Sequence, residues 1–201
     1  MQLLIQTIRE ERKLIYIAMV IFLLSGMYGF VNGESISGQL KEAGVWDQLE
    51  RAARTIKEDP TFWTGFRIIF FNNLLAAMTI IGLGIFFGVF PILSLITNGM
   101  MIGVVLLQAS VKTGESPLLI FTTTILPHGI LELPAIILAA AFGMRLGITL
   151  LRTLRILFNP DDREVMKQEW IRVSRRVPIG LLGIGVLLFF AAVIETVLIL
   201  G

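Results

Sequence analysis

The chain has 201 residues, 55% of them hydrophobic, and its mean hydropathy is +0.82. Hydropathy this high, with long uncharged runs, excludes an ordinary soluble domain and is typical of an integral membrane protein. Cysteine is absent, which excludes disulfides and thiolate chemistry, and a net charge of +2 is too small to predict nucleic-acid binding. We therefore expect a single integral membrane domain over residues 1–201, built as an all-α polytopic helical bundle.

The first apolar segment covers residues 14–31, which carry no charge. It is longer than the hydrophobic region of a typical signal peptide, and no convincing small-x-small cleavage site follows it. We interpret it as a transmembrane helix. Arg12 and Lys13 in front of it place the N-terminus in the cytoplasm, although Glu10 and Glu11 nearly balance them.

Residues 32–66 are polar and carry charges of both signs, so we expect an extracytoplasmic loop. Within the loop, apolar residues recur at helical spacing with charged residues between them: Val45, Trp46, Leu49, Ala53 and Ile56. Asp59-Pro60 ends this helix. Two interpretations remain open: an amphipathic helix that lies on the membrane or on the protein's own loops, or a docking surface for an extracytoplasmic partner.

Residues 68–111 contain no charge. A single helix of that length would extend roughly 66 Å, about twice the thickness of the hydrocarbon core. The run must therefore cross the membrane twice. Phe90-Pro91 is the natural turn, and it divides the run into spans over 67–89 and 92–111.

Amides and closely spaced glycines occur along these spans. Asn73 lies near the start of the first span, and Asn98 and Gln108 lie in the second. Amides at membrane depth usually hydrogen-bond to a neighbouring helix, and a polar path is the alternative. Glycines four residues apart let helix backbones approach closely and predict a tightly packed bundle or a homodimer. The pairs are Gly29 and Gly33, Gly84 and Gly88, Gly99 and Gly103, and Gly143 and Gly147.

Residues 117–144 form an apolar run interrupted only by His128 and Glu132. A straight helix of this length would extend about 42 Å, more than the hydrocarbon core. We therefore expect a helix broken at Pro127-His128-Gly129, with half-helices over 117–126 and 130–150.

Ionisable residues and interrupted backbone are both costly inside a membrane, so their coincidence marks a candidate functional or structural polar site. Its expected members are His128, Glu132, Asn73, Asn98, Pro127 and Gly129. His128 and Glu132 are four residues apart and share one face of a helix.

Residues 145–176 carry eight Arg and Lys against four Asp and Glu, which marks a cytoplasmic segment. Asn159-Pro160-Asp161-Asp162 is typical of a helix start. The apolar stripe that follows predicts an amphipathic helix on the inner leaflet, with a cytoplasmic docking helix as the alternative: Val165, Met166, Trp170 and Val173. Pro178 then opens the last membrane helix, 179–200, which contains Glu195.

These features resemble the stage II sporulation protein M family. The resemblance covers roughly residues 62–147. It consists of an Asn-Asn pair opening one span, a glycine-rich span, an Asn-Gly span and the sequence Leu-Pro-His-Gly-Ile-Leu-Glu-Leu-Pro-Ala at 126–135. In spore-forming bacteria the resemblance implies an integral membrane component of the engulfment machinery, which recruits membrane-anchored peptidoglycan hydrolases. Related members also occur in organisms that do not sporulate.

We predict no catalytic residue, cofactor or metal site. His128, Glu132 and Glu195 are a thin ligand set, and their spacing does not match a zinc-protease motif. The expected function is a non-enzymatic scaffold in the cell membrane that positions partner proteins. The alternative is a small dimeric transporter or channel in which His128 and Glu132 relay protons.

Overall fold

The computed structural model describes residues 2–42, 44–156 and 163–200, except for some side chains within helices: Val45, Gln48, Leu49, Glu50, Ala52, Ala53, His128 and Arg155. The described residues form α-helices, one short 3-10 turn and one π-helical stretch, with no strand. Five helices are long and apolar enough to cross a membrane: Gln2–Val31, Phe62–Ile85, Val89–Thr113, Gly129–Leu154 and Arg163–Leu200. The predicted all-α bundle of five transmembrane helices is therefore confirmed.

Helix α1 (Gln2–Val31) continues almost without interruption into α2 (Gly33–Glu42). The backbone amide of Asn32 donates to Tyr28, and that of Ile36 donates to Asn32, so helical hydrogen bonding bridges the joint. The buried residues of α1 recur every three or four positions and form one stripe: Thr7, Glu11, Leu14, Ala18, Phe22, Ser25 and Gly29.

Helix α3 (Val45–Glu58) confirms the amphipathic helix predicted in the polar region, and it ends directly before Asp59-Pro60. The region expected as a loop is thus mostly helical. The indole Nε1 of Trp46 donates a 3.3 Å hydrogen bond to the carbonyl oxygen of Ser37, which ties α3 to α2.

Helix α4 (Phe62–Gly82) runs into a 3-10 turn, Leu83–Ile85, and α5 (Val89–Thr113) follows. The chain reverses over residues 86–88, where Phe87 and Gly88 have φ angles of 58° and 73°. The turn predicted at Phe90-Pro91 was therefore placed slightly too late. Pro91 lies in the first turn of α5, where its missing N–H leaves no intrahelical bond unmade.

The fourth span is continuously wound, which corrects the expected irregular break. Helix α6 (Pro117–Ile120) leads into a π-helical stretch, Phe121–Ile125, and α7 (Leu126–Arg155) follows. Pro127 cannot donate a backbone hydrogen bond, and its ring clashes with the carbonyl group four residues before it. The wider π turn accommodates this mismatch just before Pro127-His128-Gly129, so the interruption is a change of winding.

Helix α8 (Arg163–Leu200) is also continuous, so the expectation that Pro178 opens a separate helix is wrong. Transmembrane helices tolerate an internal proline when neighbouring groups satisfy the freed backbone. The predicted start at Asn159-Pro160-Asp161-Asp162 lies outside the described residues.

Residues 145–155 form the end of α7 and residues 163–176 form the start of α8, and these two parts pack on each other. The indole Nε1 of Trp170 donates a 2.9 Å hydrogen bond to Thr153 Oγ1. Arg152 and Glu169 form an ion pair beside it. Of the predicted apolar stripe, Met166, Trp170 and Val173 face the protein, whereas Val165 is exposed. The stripe is therefore used mainly within the chain.

Helix α7 lies at the centre of the bundle and contacts α1, α4, α5 and α8. Five residues near its middle are buried, and four of them are small: Ala135, Ala139, Ala140, Ala141 and Phe142. Small side chains allow four helices to approach the same axis closely. The start of α1, the 86–88 turn, the end of α7 and the start of α8 lie at one end of the bundle. Helices α2 and α3 lie at the other.

Candidate functional site

The glycine pairs pack helices together within one chain. A Cβ atom added to Gly84 would lie 2.2 Å from the carbonyl oxygen of Gly143. One added to Gly147 would lie 2.1 Å from the backbone nitrogen of Gly88. These glycines let the turn between α4 and α5 lie directly on α7.

The second pair has the same role against α1. A Cβ atom at Gly103 would lie 2.1 Å from the carbonyl oxygen of Gly26, and one at Gly99 would lie 2.2 Å from Ser25 Oγ. Gly84, Gly88, Gly99 and Gly103 therefore lie at close contacts between helices of the same chain. The homodimer stays a prediction, and it would need other surfaces.

Three residues of the predicted polar site meet at a cavity between α5 and α7. Asn98, Gly129 and Glu132 line a space of about 230 Å³. The remaining lining is apolar: Met101, Ile102, Val105, Ile125, Leu133 and Ile136. An amide-bearing residue and a carboxyl-bearing residue thus line the same cavity, and a polar site with a functional or structural role there stays a prediction.

The amide of Asn98 is used locally. Its Nδ2 donates a 2.8 Å hydrogen bond to the carbonyl oxygen of Ser94 on the same helix, so the expected bond to a neighbouring helix is not made. Gln108 does make such a bond, because its Nε2 lies 2.9 Å from Ser37 Oγ on α2.

The other predicted members of the site lie elsewhere or outside the description. Asn73 is half-buried on α4 and does not line the cavity, and neither does Pro127. His128 belongs to the first turns of α7, but its side chain lies outside the described residues. Its pairing with Glu132 therefore stays a prediction.

The strongest electrostatic feature is a buried cluster of charges that the sequence analysis did not identify. Glu11 is 1% exposed, and its carboxylate accepts hydrogen bonds from Arg145 Nε at 2.7 Å and Arg176 Nη1 at 3.3 Å. Arg176 also pairs with Glu10. A charge this deeply buried is tolerated only when it is paired and hydrogen-bonded. The cluster joins α1, α7 and α8.

The spacing along α1 could have revealed Glu11. It lies three residues before Leu14 and seven before Ala18, on the stripe that faces the bundle. An acid at such a position demands a basic partner, and residues 145–176 offer eight. From the sequence, Glu10 and Glu11 were considered only as charges that nearly balance the neighbouring basic residues, which predict the side of the membrane for the N-terminus.

A family model for stage II sporulation protein M matches residues 15–198. The chain belongs to the stage II sporulation protein M family. An uncharacterized protein of Methanocaldococcus jannaschii is 26% identical over 132 residues, which covers 66% of this chain and 67% of that protein. Comparison with solved structures found no significant match.

The stage II sporulation protein M family match extends well beyond the resemblance seen in the sequence. It includes all of α4 to α7 and nearly all of α8, and it begins just before Tyr16 on α1. Arg145 and Arg176 therefore lie inside the matched region, whereas Glu10 and Glu11 precede it. The match supports a multi-pass membrane protein and says nothing of how the charge cluster is used.

Proposed function

We propose that this member of the stage II sporulation protein M family is a non-enzymatic membrane scaffold that recruits partner proteins through α2 and α3. The main observation in support of this proposal is that these two helices are packed against the transmembrane bundle. In the described part of both helices, Ile36, Leu40, Trp46 and Ile56 pack against the protein itself, whereas charged residues are exposed.

Helix α2 is fixed to α5. Ile36 and Leu40 are buried against Val104, with Trp46, Met100 and Met101 packed around them. The bond from Gln108 to Ser37 adds a polar contact between the same two helices. These contacts hold α2 against the end of α5.

Helix α3 is fixed at its far end. Ile56 is buried in a cluster with Ile69 of α4 and Ala192 of α8. Because the described apolar residues of α3, Trp46 and Ile56, contact the protein, these side chains are not available to enter a lipid surface. This arrangement favours the docking interpretation of the polar region over a helix that lies on the membrane.

The outer face of α3 is charged and accessible. Asp47, Arg51, Lys57 and Glu58 are all exposed. Exposed charges on a rigid surface steer a partner and set its orientation. By family resemblance we propose membrane-anchored peptidoglycan hydrolases as the partners, in sporulation engulfment or a related envelope process.

The charge distribution supports the orientation. Eleven of the 17 Lys and Arg residues belong to segments 2–13, 145–156 and 163–176, which lie at the same end of the bundle. An excess of basic residues marks the cytoplasmic side of a membrane protein. We therefore propose a cell-membrane protein with a cytoplasmic N-terminus and with α2 and α3 outside.

The test is co-purification of partners after cross-linking in cells. We expect Arg51→Glu with Lys57→Glu to lose partners that wild type retains, while Lys112→Glu, an exposed charge on α5, retains them. Equal recovery of the same partners from both variants would exclude α3 as the docking surface. Recovery of no envelope protein with wild type would count against the scaffold itself.

One observation favours the second candidate, a transporter or channel. Asn98 and Glu132 line the same cavity between α5 and α7. Polar residues beside irregularly wound helices are how many transporters build their binding sites. This candidate predicts proton-coupled activity that depends on Glu132.

A further inference from the structure

A basic groove opens between the start of α1 and α8, next to the charge cluster. Its volume is about 550 Å³, and it is lined by three arginines, one carboxylate (Glu10), polar groups and apolar residues. Helix α1 contributes Leu3 and Gln6 to the lining, and α8 contributes Arg172, Arg175, Pro178 and Ile179.

The arginines of this groove differ in their partners. Arg176 is engaged by Glu10 and Glu11. Arg172 and Arg175 are exposed, and within the described part of the chain neither forms an ion pair. The groove therefore presents two uncompensated positive charges to a ligand.

The groove lies at the level of the membrane surface. Residues 177–194 of α8 are uncharged, and Arg172 and Arg175 precede them by less than two helical turns, about 8 Å. Basic side chains at this depth meet lipid phosphates.

An apolar groove continues from the basic one along the bundle. It has a volume of about 680 Å³, lies between α4 and α8, and shares Pro178 with the basic groove. Leu74, Met78, Leu182 and Phe189 are among its lining residues. A basic groove that meets a long apolar groove has the two-part character of a phospholipid.

We propose that the two grooves together bind one anionic phospholipid. Arg172 and Arg175 contact the phosphate headgroup, and an acyl chain lies in the apolar groove between α4 and α8. Free phosphate lacks the part that would fill the second groove, so the lipid is the occupant that both grooves fit.

The experiment uses the full chain in detergent with added lipid, and native mass spectrometry counts the lipids retained. Phosphatidylglycerol should be retained in preference to phosphatidylcholine. Arg172→Gln with Arg175→Gln should reduce retention of phosphatidylglycerol by roughly tenfold or more, since each basic residue near a lipid surface contributes appreciably. Arg163→Gln with Lys167→Gln is the matched control, because these residues belong to α8 but do not line the groove.

A second variant tests the apolar groove. Gly185 lines it, and a Cβ atom added there would meet nothing within 4 Å, so we expect the side chain of Gly185→Leu to extend into the groove. We expect this variant to lose lipid while unfolding at the wild-type temperature in phosphatidylcholine.

Three results would overturn the proposal. Equal losses in the two arginine pairs would show a diffuse basic surface. Displacement of the lipid by inorganic phosphate at the same concentration would show a simple anion site. Full retention of lipid by Gly185→Leu would show that no acyl chain occupies the apolar groove.

Discussion

Arg145 donates a 2.7 Å hydrogen bond from Nε to Glu11 Oε2, across 134 residues of sequence. The bond joins the first helix of the chain to the central one. With Arg176 on the other carboxylate oxygen, the start of α1 is held against α7 and α8 by charge as well as by packing.

Removing the carboxylate should strongly destabilise the fold. Glu11→Ala leaves Arg145 and Arg176 without their buried counter-charge. Breaking a buried ion pair on one side costs about 3 kcal/mol or more, and we expect the lower end because the arginines are 23% and 25% exposed. Reversible unfolding of the purified protein in mixed micelles measures the change. Glu34→Ala, an exposed acid on α2, is the control, and equal stability of the two variants would refute the buried cluster.

The close contact between α7 and the α4–α5 turn should also be sensitive to substitution. In Gly147→Ala the new methyl group would lie 2.1 Å from a backbone nitrogen, which cannot move without displacing the turn. Overpacking of this kind costs about 1–3 kcal/mol. Gly82→Ala adds the same group where nothing lies within 4 Å, so it should not reduce stability. Unfolding in the same micelles compares them, and a tolerated Gly147→Ala would show that α7 and the turn are further apart.

Topology gives a third prediction, since the bundle fixes which segments share a side. The chain has no cysteine, so single cysteines label without background. We expect an impermeant thiol reagent on intact cells to label Glu115→Cys and to spare Gln168→Cys, with both labelled after lysis. The reverse pattern would invert the proposed orientation, and labelling of both in intact cells would contradict five crossings.

Long apolar runs and helix-breaking residues were sufficient to predict the five spans and the end of α3. Hydrophobic length and turn chemistry act locally, so they can be read from one sequence. The helical geometry around Pro127 was harder to predict, because a helix can accommodate a proline through a kink, a break or a π turn. Which of these occurs depends on how the neighbouring helices pack.

Contacts distant in sequence were the least predictable. Glycine spacing shows that some helix comes close, but it does not say whether the partner is α7 or a second copy. To predict the charge cluster, one would have to know that the start of α1, the end of α7 and the start of α8 lie close together in the fold. Asn98 illustrates the same limit, because its side chain hydrogen-bonds to the carbonyl oxygen of Ser94 on its own helix, whereas the sequence suggested a neighbouring helix.

Proton flux in proteoliposomes tests the central claim most directly, because it separates a scaffold from a transporter. Glu132→Gln keeps the size of the side chain that lines the cavity and its capacity for hydrogen bonds, but replaces the ionisable carboxyl group with an amide. We expect wild type and Glu132→Gln to show no proton flux above protein-free liposomes and to co-purify with the same partners. Flux through wild type that disappears in Glu132→Gln, with partner binding unchanged, would contradict the scaffold and establish the transporter.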